Sequence, residues 1–439
     1  MLHRDPARED QIMRAQVDSE SREIHRSSTG KPWVQLLAGV VGMMMISSLQ
    51  YAWTLFVPSF TGTFKWPLPA VSLALTLFII FMTYLAPLTG YLLDRFGTRL
   101  FFTLAAFCVG IGWSAMGLVK SLLALYYFYG LAGVGASFIY TGGIAAALKW
   151  FPQKRGLASG VMAAGFGSGA APLIPLFGYL LGRFGYGATF LMTGIGFGVI
   201  LLIVAQVLHF PAEAADAGPF ESPAAAPRVE EQGLTPMEML ETPHFYLIYL
   251  IFVAMASGYL MITAQAKPLA QHLGIAANIA ILAVTLSSIG NGLGRVVWGF
   301  LSDKLGREIA MVIDFLIGAA AVALLPVLGR NPIFFVLLIA LAMFSFGPIF
   351  AFFPPLTADR FGTAYLATNY GFVYSAKGIG GIIGGVILSS CMLWVGWTLT
   401  FYGAAALAVL AALGTLILKR LSGPDWGKPV ALMGKWSLS

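Results

Sequence analysis

The chain has 439 residues, of which 58% are hydrophobic and only 10% charged, with a mean hydropathy of +0.81. A soluble domain carries about 25% charged residues, so a protein built around one water-soluble core is excluded. The net charge of +7 comes from 26 basic and 19 acidic residues spread over short segments, which argues against nucleic acid as a partner.

Residues 1–32 form a polar N-terminal tail of mixed charge, and the first apolar run opens at Trp33 as a span of its own, without a signal-peptide pattern. A membrane helix needs about 20 apolar residues. Six runs of that kind follow, at 33–57, 70–93, 99–119, 122–149, 154–182 and 187–209. They make up an N-terminal bundle over 33–209. Residues 210–242 are rich in Ala, Pro and Glu and read as a flexible central linker, whose tail LTPMEMLETP has the pattern of a short surface helix. Six more runs, at 243–269, 276–301, 309–328, 332–358, 365–393 and 396–420, form a C-terminal bundle over 243–420, followed by a tail at 421–439. The fold predicted is an all-α membrane protein of twelve transmembrane helices in two pseudo-symmetric six-helix bundles.

Orientation follows from the Lys and Arg. With both termini in the cytoplasm, the external loops hold only Lys65, Lys120, Arg183, Lys267 and Arg330, and two cations lie within spans. The expectation is a multi-pass, monomeric protein of the cell inner membrane, with the lipid bilayer and a small molecule as its partners. The chain also repeats itself: GYLLDRFGTR at 90–99 superposes on GFLSDKLGRE at 299–308 at an offset of 209, and RGLASG at 155–160 meets AYLATN at 364–369 at the same offset. Transporters are often built from such repeats, with the substrate near the midplane between them.

The two mid-span cations are Arg295, in the eighth span, and Lys377, in the eleventh. A basic residue at the centre of a membrane helix costs roughly 2.5–3.5 kcal/mol on insertion scales. Arg295 lies eight residues before Asp303, about 12 Å along a helix, and Lys377 twelve residues after Tyr365, about 18 Å. Both depths are central in a core about 30 Å thick. Arg offers a planar fork and Lys a point charge, so the pair suits a small dianion, or a monoanion with one cation left over. An empty site leaves two like charges facing each other and resists closing, as an obligatory exchanger should. The alternative is that each cation pairs with a structural acid. The candidate is Asp314 in the ninth span, expected to lie too near the cytoplasmic end.

Other chemistry is not in evidence. Cys108 and Cys391 lie in apolar runs without metal spacing and read as packing residues. His3, His25, His209, His244 and His272 fall in tails or near helix ends, and no HExxH, GxSxG or phosphate-binding loop occurs. No enzyme activity, metal or cofactor is expected. Glycine-rich runs in the fifth and eleventh spans, AGFGSGAAP and GIGGIIGG, permit close helix approach or sliding. Pro87, Pro172, Pro348 and Pro354 are candidate kink sites.

The motif G-x-x-x-D-[RK]-x-G joins the second and third spans through Gly90, Asp94, Arg95 and Gly97, with Arg99 following. It recurs between the eighth and ninth through Gly299, Asp303, Lys304 and Gly306, with Arg307 following. The pattern resembles the loop signature of the major facilitator superfamily, which implies that these residues shape the loop and gate. LQYAWTLF at 49–56, KWFPQKRGLASG at 149–160, GNGLGRVVWGFLSDKLGR at 290–307 and FGTAYLATNYGFVYSAKG at 361–378 resemble the oxalate–formate antiporter family, bacterial relatives of the monocarboxylate transporters.

The resemblance implies that Arg295 and Lys377 bind substrate carboxylates and that Tyr51, Tyr140, Phe346, Phe350 and Tyr374 line the cavity. Where the oxalate carrier has tryptophans on helices ten and eleven, this chain has Phe346 and Tyr374, a departure that puts oxalate itself in question. Asn291, one turn before Arg295, stands where animal monocarboxylate carriers have an Asp implicated in proton coupling, and Gln50 is the polar residue of the first span. The resemblance therefore implies carboxylate exchange by alternating access. The alternatives are proton-coupled lactate or pyruvate symport, a same-fold carrier of a larger aromatic or vitamin-like substrate, and, from another class, a transporter-like sensor or a channel.

Overall fold

A computed structural model describes residues 31–211 and 232–424. Helix is present in each of the twelve predicted ranges. The N-terminal half contains α1 (Lys31–Tyr51), α2 (Trp53–Phe64), α3 (Leu68–Tyr84), α4 (Ala86–Phe96), α5 (Thr98–Ala115), α6 (Leu122–Trp150), α7 (Arg155–Ser168) and α8 (Ile174–Val207). A short α9 (Pro236–Glu241) precedes the C-terminal half. That half contains α10 (Pro243–His272), α11 (Ala277–Leu305), α12 (Arg307–Leu328), α13 (Pro332–Phe346), α14 (Ile349–Phe361), α15 (Leu366–Tyr374), α16 (Ala376–Ile382), a π-helical turn at Ile383–Leu388, α17 (Ser389–Trp394) and α18 (Gly396–Arg420).

Among the described residues, ten helical stretches are long and apolar enough to span, or eleven when α3 and α4, bent by 44°, are taken as one. The difference from twelve lies in α7 and α8. At 34 residues α8 would be about 51 Å long, well beyond a core of about 30 Å. Inside it Gly185 is non-helical at φ 74, so the helix changes direction where the sequence separates the fifth and sixth runs. Pro87 follows the bend at Leu85, Pro172 falls in the turns between α7 and α8, and Pro348 separates α13 from α14. Pro354, by contrast, sits inside continuous α14.

Both ends of the described chain lie on one face, with the two loop motifs. Gln35 near the start of α1 bonds the Val207 carbonyl and the His209 backbone N–H at the end of α8. Arg360 bonds the Leu418 and Leu421 carbonyls at the end of α18. On this motif face each half reaches into the other. Asp94 accepts from the backbone N–H of Thr368 at 2.8 Å, from its hydroxyl at 2.8 Å and from the N–H of Ala367 at 3.3 Å, capping α15. Asp303 accepts from the N–H of Gly156 at 2.9 Å and of Leu157 at 2.8 Å, capping α7. A carboxylate there meets both the unpaired N–H groups and the positive end of the helix dipole.

Glycine makes these approaches possible. A side chain on Gly90 would strike the Ala367 carbonyl, and one on Gly299 the Gly156 carbonyl. Gly97 (φ 84) and Gly306 (φ 86) form the expected tight turns. The basic motif residues divide. Arg307 joins Asp303 at 2.6 Å and Asp359 at 3.0 Å, and Arg155 reaches Asp359 at 2.9 Å from the other half. Arg99 binds Gln206, whereas Arg95 lies over Phe96 and Lys304 over Phe300.

The end of the expected flexible linker is structured; residues 212–231 lie outside the described residues. Gly233 forms an antiparallel bridge with Gly362, with Leu234 N–H donating to Phe361 O at 2.9 Å and Thr363 N–H to Gln232 O at 3.2 Å. The Asn369 amide donates to Leu234 O at 3.0 Å. The surface helix read from LTPMEMLETP is α9, opened by a capping box between Thr235 and Glu238, and it buries Met239 fully.

Gly362 and Gly97 share one backbone conformation (φ 82, ψ −177 and φ 84, ψ 173) but not one environment. A Cβ at Gly97 meets nothing within 4 Å, whereas one at Gly362 strikes Gln232 and Gly233. Gly97→Ala should cost the backbone strain alone, about 1–3 kcal/mol. Gly362→Ala should cost more, by displacing the linker strap. Thermal unfolding in detergent checks the ranking, and equal Tm losses would contradict it.

Candidate functional site

Arg295 and Lys377 meet beneath one aromatic ring. The guanidinium carbon of Arg295, on α11, lies 4.8 Å from the centroid of Phe350, and the ammonium of Lys377, on α16, lies 5.7 Å from the same centroid. Arg295 is 1% exposed and Lys377 8%.

Arg295 is oriented by neutral acceptors. Its Nε donates to Asn291 Oδ1 at 3.0 Å, a contact that one helical turn imposes, and Nη1 donates across the halves to the Ala163 carbonyl of α7 at 2.6 Å. The α7 surface there is bare: a Cβ on Gly167 would lie 2.8 Å from the guanidinium carbon. That is one concrete use of the glycine run in the fifth span. Asn291 in turn donates to the Tyr259 hydroxyl at 3.4 Å.

Lys377 donates to the Tyr374 hydroxyl at 3.0 Å. Its ammonium also lies 5.6 Å from the ring centroid of Phe166 and 5.3 Å from that of Tyr374. Tyr374 stacks on Tyr140 across the halves, with centroids 4.4 Å apart at 27°. Phe166 meets Tyr140 edge-on at 5.3 Å and Tyr51 at 6.1 Å. The cage thus takes Tyr51, Tyr140 and Phe166 from one half and Phe350 and Tyr374 from the other. Ring faces attract cations, and tyrosine hydroxyls both accept from a cation and donate to an anion.

Of the residues singled out from sequence, Arg295, Lys377, Asn291, Tyr51, Tyr140, Phe350 and Tyr374 come together. Phe346 does not. It is fully buried within the C-terminal half, facing Gly258 of α10 and Gly318 of α12. α13 is apolar all round, so nothing in its sequence says which side faces the cavity. Phe166, Tyr259 and the Ala163 carbonyl were not read from sequence. Phe166 carried a signal, as the one bulky side chain in AGFGSGAAP. The carbonyl carried none.

Asp314 does not reach the cations. Gly294, beside Arg295, packs on the Phe344 carbonyl, and Gly318 packs on Ser345, so Gly318 marks the level of Arg295 on α12. Asp314 lies one helical turn, about 5 Å, nearer the motif face, as expected, and α13 stands between it and Arg295. Among the described residues neither Arg295 nor Lys377 has a carboxylate partner.

Comparisons with known proteins agree with this architecture. The family model described as Major Facilitator Superfamily matches residues 36–264 and 246–432. The chain is 36% identical to the oxalate:formate antiporter of Oxalobacter formigenes, covering 93% of this chain and 95% of that one. It is 24% identical to monocarboxylate transporter 13 of Bos taurus, covering 88% and 89%. A crystal structure of the human organic anion transporter MFSD10 superposes with a TM-score of 0.66 at 15% identity over 88% of this chain and 99% of that one. The proton:xylose symporter XylE superposes at 0.65 and 14% identity, over 89% and 96%. At those identities the two structures speak for the fold alone. The chain belongs to the major facilitator superfamily and, within it, to the family of the oxalate:formate antiporter.

Proposed function

We propose that this protein is a secondary carrier that exchanges small organic anions by alternating access, with carboxylates bound by Arg295 and Lys377. One observation carries the reading: two buried cations share the Phe350 ring and, among the described residues, have only neutral partners. Asn291, Tyr374 and the Ala163 carbonyl orient the charges without cancelling them, so the missing negative charge falls to the substrate. An empty site keeps two like charges in a low-dielectric core, where their repulsion is least screened. Reorientation without an anion is then disfavoured, which is the behaviour of an exchanger.

With both termini in the cytoplasm, the motif face is the cytoplasmic face, and the Asp94 and Asp303 caps close the inner gate. The relative from Oxalobacter formigenes makes dicarboxylate and monocarboxylate exchange the leading substrate class. Of the two tryptophan replacements, only Tyr374 touches the cations; a tryptophan there could donate but not accept. The Tyr374 hydroxyl accepts from Lys377 and could pass a proton to a bound carboxylate. That favours a second reading, monocarboxylate transport with a proton.

Counterflow in proteoliposomes tests both. Labelled oxalate or lactate should enter at zero pH gradient only when an unlabelled anion is inside. Uptake that instead requires an inward proton gradient moves the assignment to symport. Arg295→Gln and Lys377→Gln should each lower exchange at least tenfold with expression intact, and full activity in both would refute the site.

Asn291→Asp puts an ionised acceptor on Arg295 Nε. A charge-assisted hydrogen bond is worth about 1.5–3 kcal/mol, so apparent anion affinity should fall by roughly tenfold or more. An unchanged half-saturating concentration would show that Asn291 does not govern the charge of the site.

A further inference from the structure

A second ionisable group lies buried in the C-terminal half, away from the cation pair. Asp314, on α12, is fully buried, and its carboxyl faces the hydroxyl of Ser345 on α13, also fully buried, without closing a short hydrogen bond to it. The two helices close tightly beside this pair: a Cβ on Gly318, one turn from Asp314, would lie 3.1 Å from the Ser345 side chain.

The charged and titratable groups of the packed elements are engaged elsewhere or lie at helix ends. α13 has none. On α11, Arg295 is held by Asn291 and Ala163, Asp303 by the α7 N-terminus, and Lys304 over Phe300. On α14, Asp359 pairs with Arg307, and Arg360 pairs with Glu308 of α12 itself. α18 contributes exposed Tyr402, and Lys419 and Arg420 in its last turn. None hydrogen-bonds Asp314. Burying a carboxylate's charge without a charged partner is costly, and among the described residues the polar side chain beside Asp314 is the neutral hydroxyl of Ser345.

The position gives a proton on Asp314 a route to the transport cycle. Ser345 lies two residues before Gly347, where the span breaks between α13 and α14. Gly347 packs on the Asn291 side-chain oxygen that orients Arg295, and Phe350 beyond the break lies over both cations. One discontinuous helix therefore touches the acid on one side and the anion site on the other.

We infer that Asp314 is a proton-binding site of the transport cycle, loaded while the motif face is closed and linked to the cation pair through the break between α13 and α14. No bond other than the acidic O–H forms or breaks; the proton comes from water and returns to it when a rearrangement of α12 against α13 admits solvent. The link to anions rests on the carrier reading above, but the test does not.

The test uses the full chain in nanodiscs, with Cys108 and Cys391 replaced by Ser and spin labels at Leu100 and Ile309. These exposed, repeat-equivalent positions lie just beyond the two motifs. In the parent, the short-distance, closed population should shrink as pH rises. Asp314→Asn, a neutral isostere, should keep the motif face closed at every pH, and Asp314→Glu should restore the pH dependence. A parent distribution that does not move with pH overturns the proposal, as does an Asp314→Asn response that matches the parent's. Because no anion is present, failure of the anion reading in counterflow leaves this result unaffected.

Discussion

Everything near the centre of this molecule answers one constraint: two positive charges must be held where water is scarce. The chain meets it with neutral groups. An amide oxygen, a backbone carbonyl, a phenol oxygen and three aromatic rings surround Arg295 and Lys377. These acceptors recover part of the lost hydration, because hydrogen bonds and ring faces strengthen in a low dielectric. They do not remove the charge. A structural ion pair would have been a more complete solution, and Asp314 is close enough in depth to suggest one, yet α13 keeps it apart. The arrangement stabilises the cations enough to fold and leaves them short of an anion.

The site also sits where its helices stop being regular. Tyr51 ends α1, and Ala52 breaks the span. Phe166 lies two residues before the end of α7. Phe350 opens α14 just after Gly347 and Pro348, and Lys377 follows the break at Ser375. In a bilayer, irregular backbone is tolerated only where protein or a cavity covers it. Breaks on four different spans converge on one place, so the freed backbone groups and the cations share the same shelter.

The sequence made some of this legible, and the reason differs from residue to residue. Arg295 and Lys377 could be found because a cation in an apolar run needs a purpose. The two halves could be found because Asp94 and Asp303 recur at one offset, and the fold gives both carboxylates the same task on opposite partners. Phe346 could not be placed, because a helix as uniformly apolar as α13 has no side that sequence alone can orient. Counting along its helix could place Asp314 toward the motif end, but could not show that α13 would stand between it and Arg295. Phe166 hid in a run read for its glycines, as permitting close helix approach or sliding. The strap at 232–234 hid in a segment whose composition signals disorder, because backbone hydrogen bonds to Phe361 and Thr363 need no particular side chains.

The repeat explains why the site and the motif face belong to one device. α11 meets α7 at two levels: Asp303 caps its first turn, and eight residues deeper Arg295 binds its Ala163 carbonyl. The other pairing has the same plan. Asp94 caps α15, a side chain on Gly371 would strike the Ala86 carbonyl midway, and Tyr140 stacks on Tyr374 at the level of Lys377. Each cation thus stands at the inner end of an inter-half contact whose outer end is closed by a motif aspartate. Opening the motif face means parting both pairs along their length. The contacts to be lost then include the bond that orients Arg295 and the stack that supports Lys377. On the carrier reading proposed above, an anion held by both cations would replace the polar contacts at that depth and leave the two carboxylate caps and the Arg155–Asp359 ion pair as the remaining charged hold on the closed face. Occupancy at mid-depth and closure at the motif face are therefore two ends of the same pair of helix contacts.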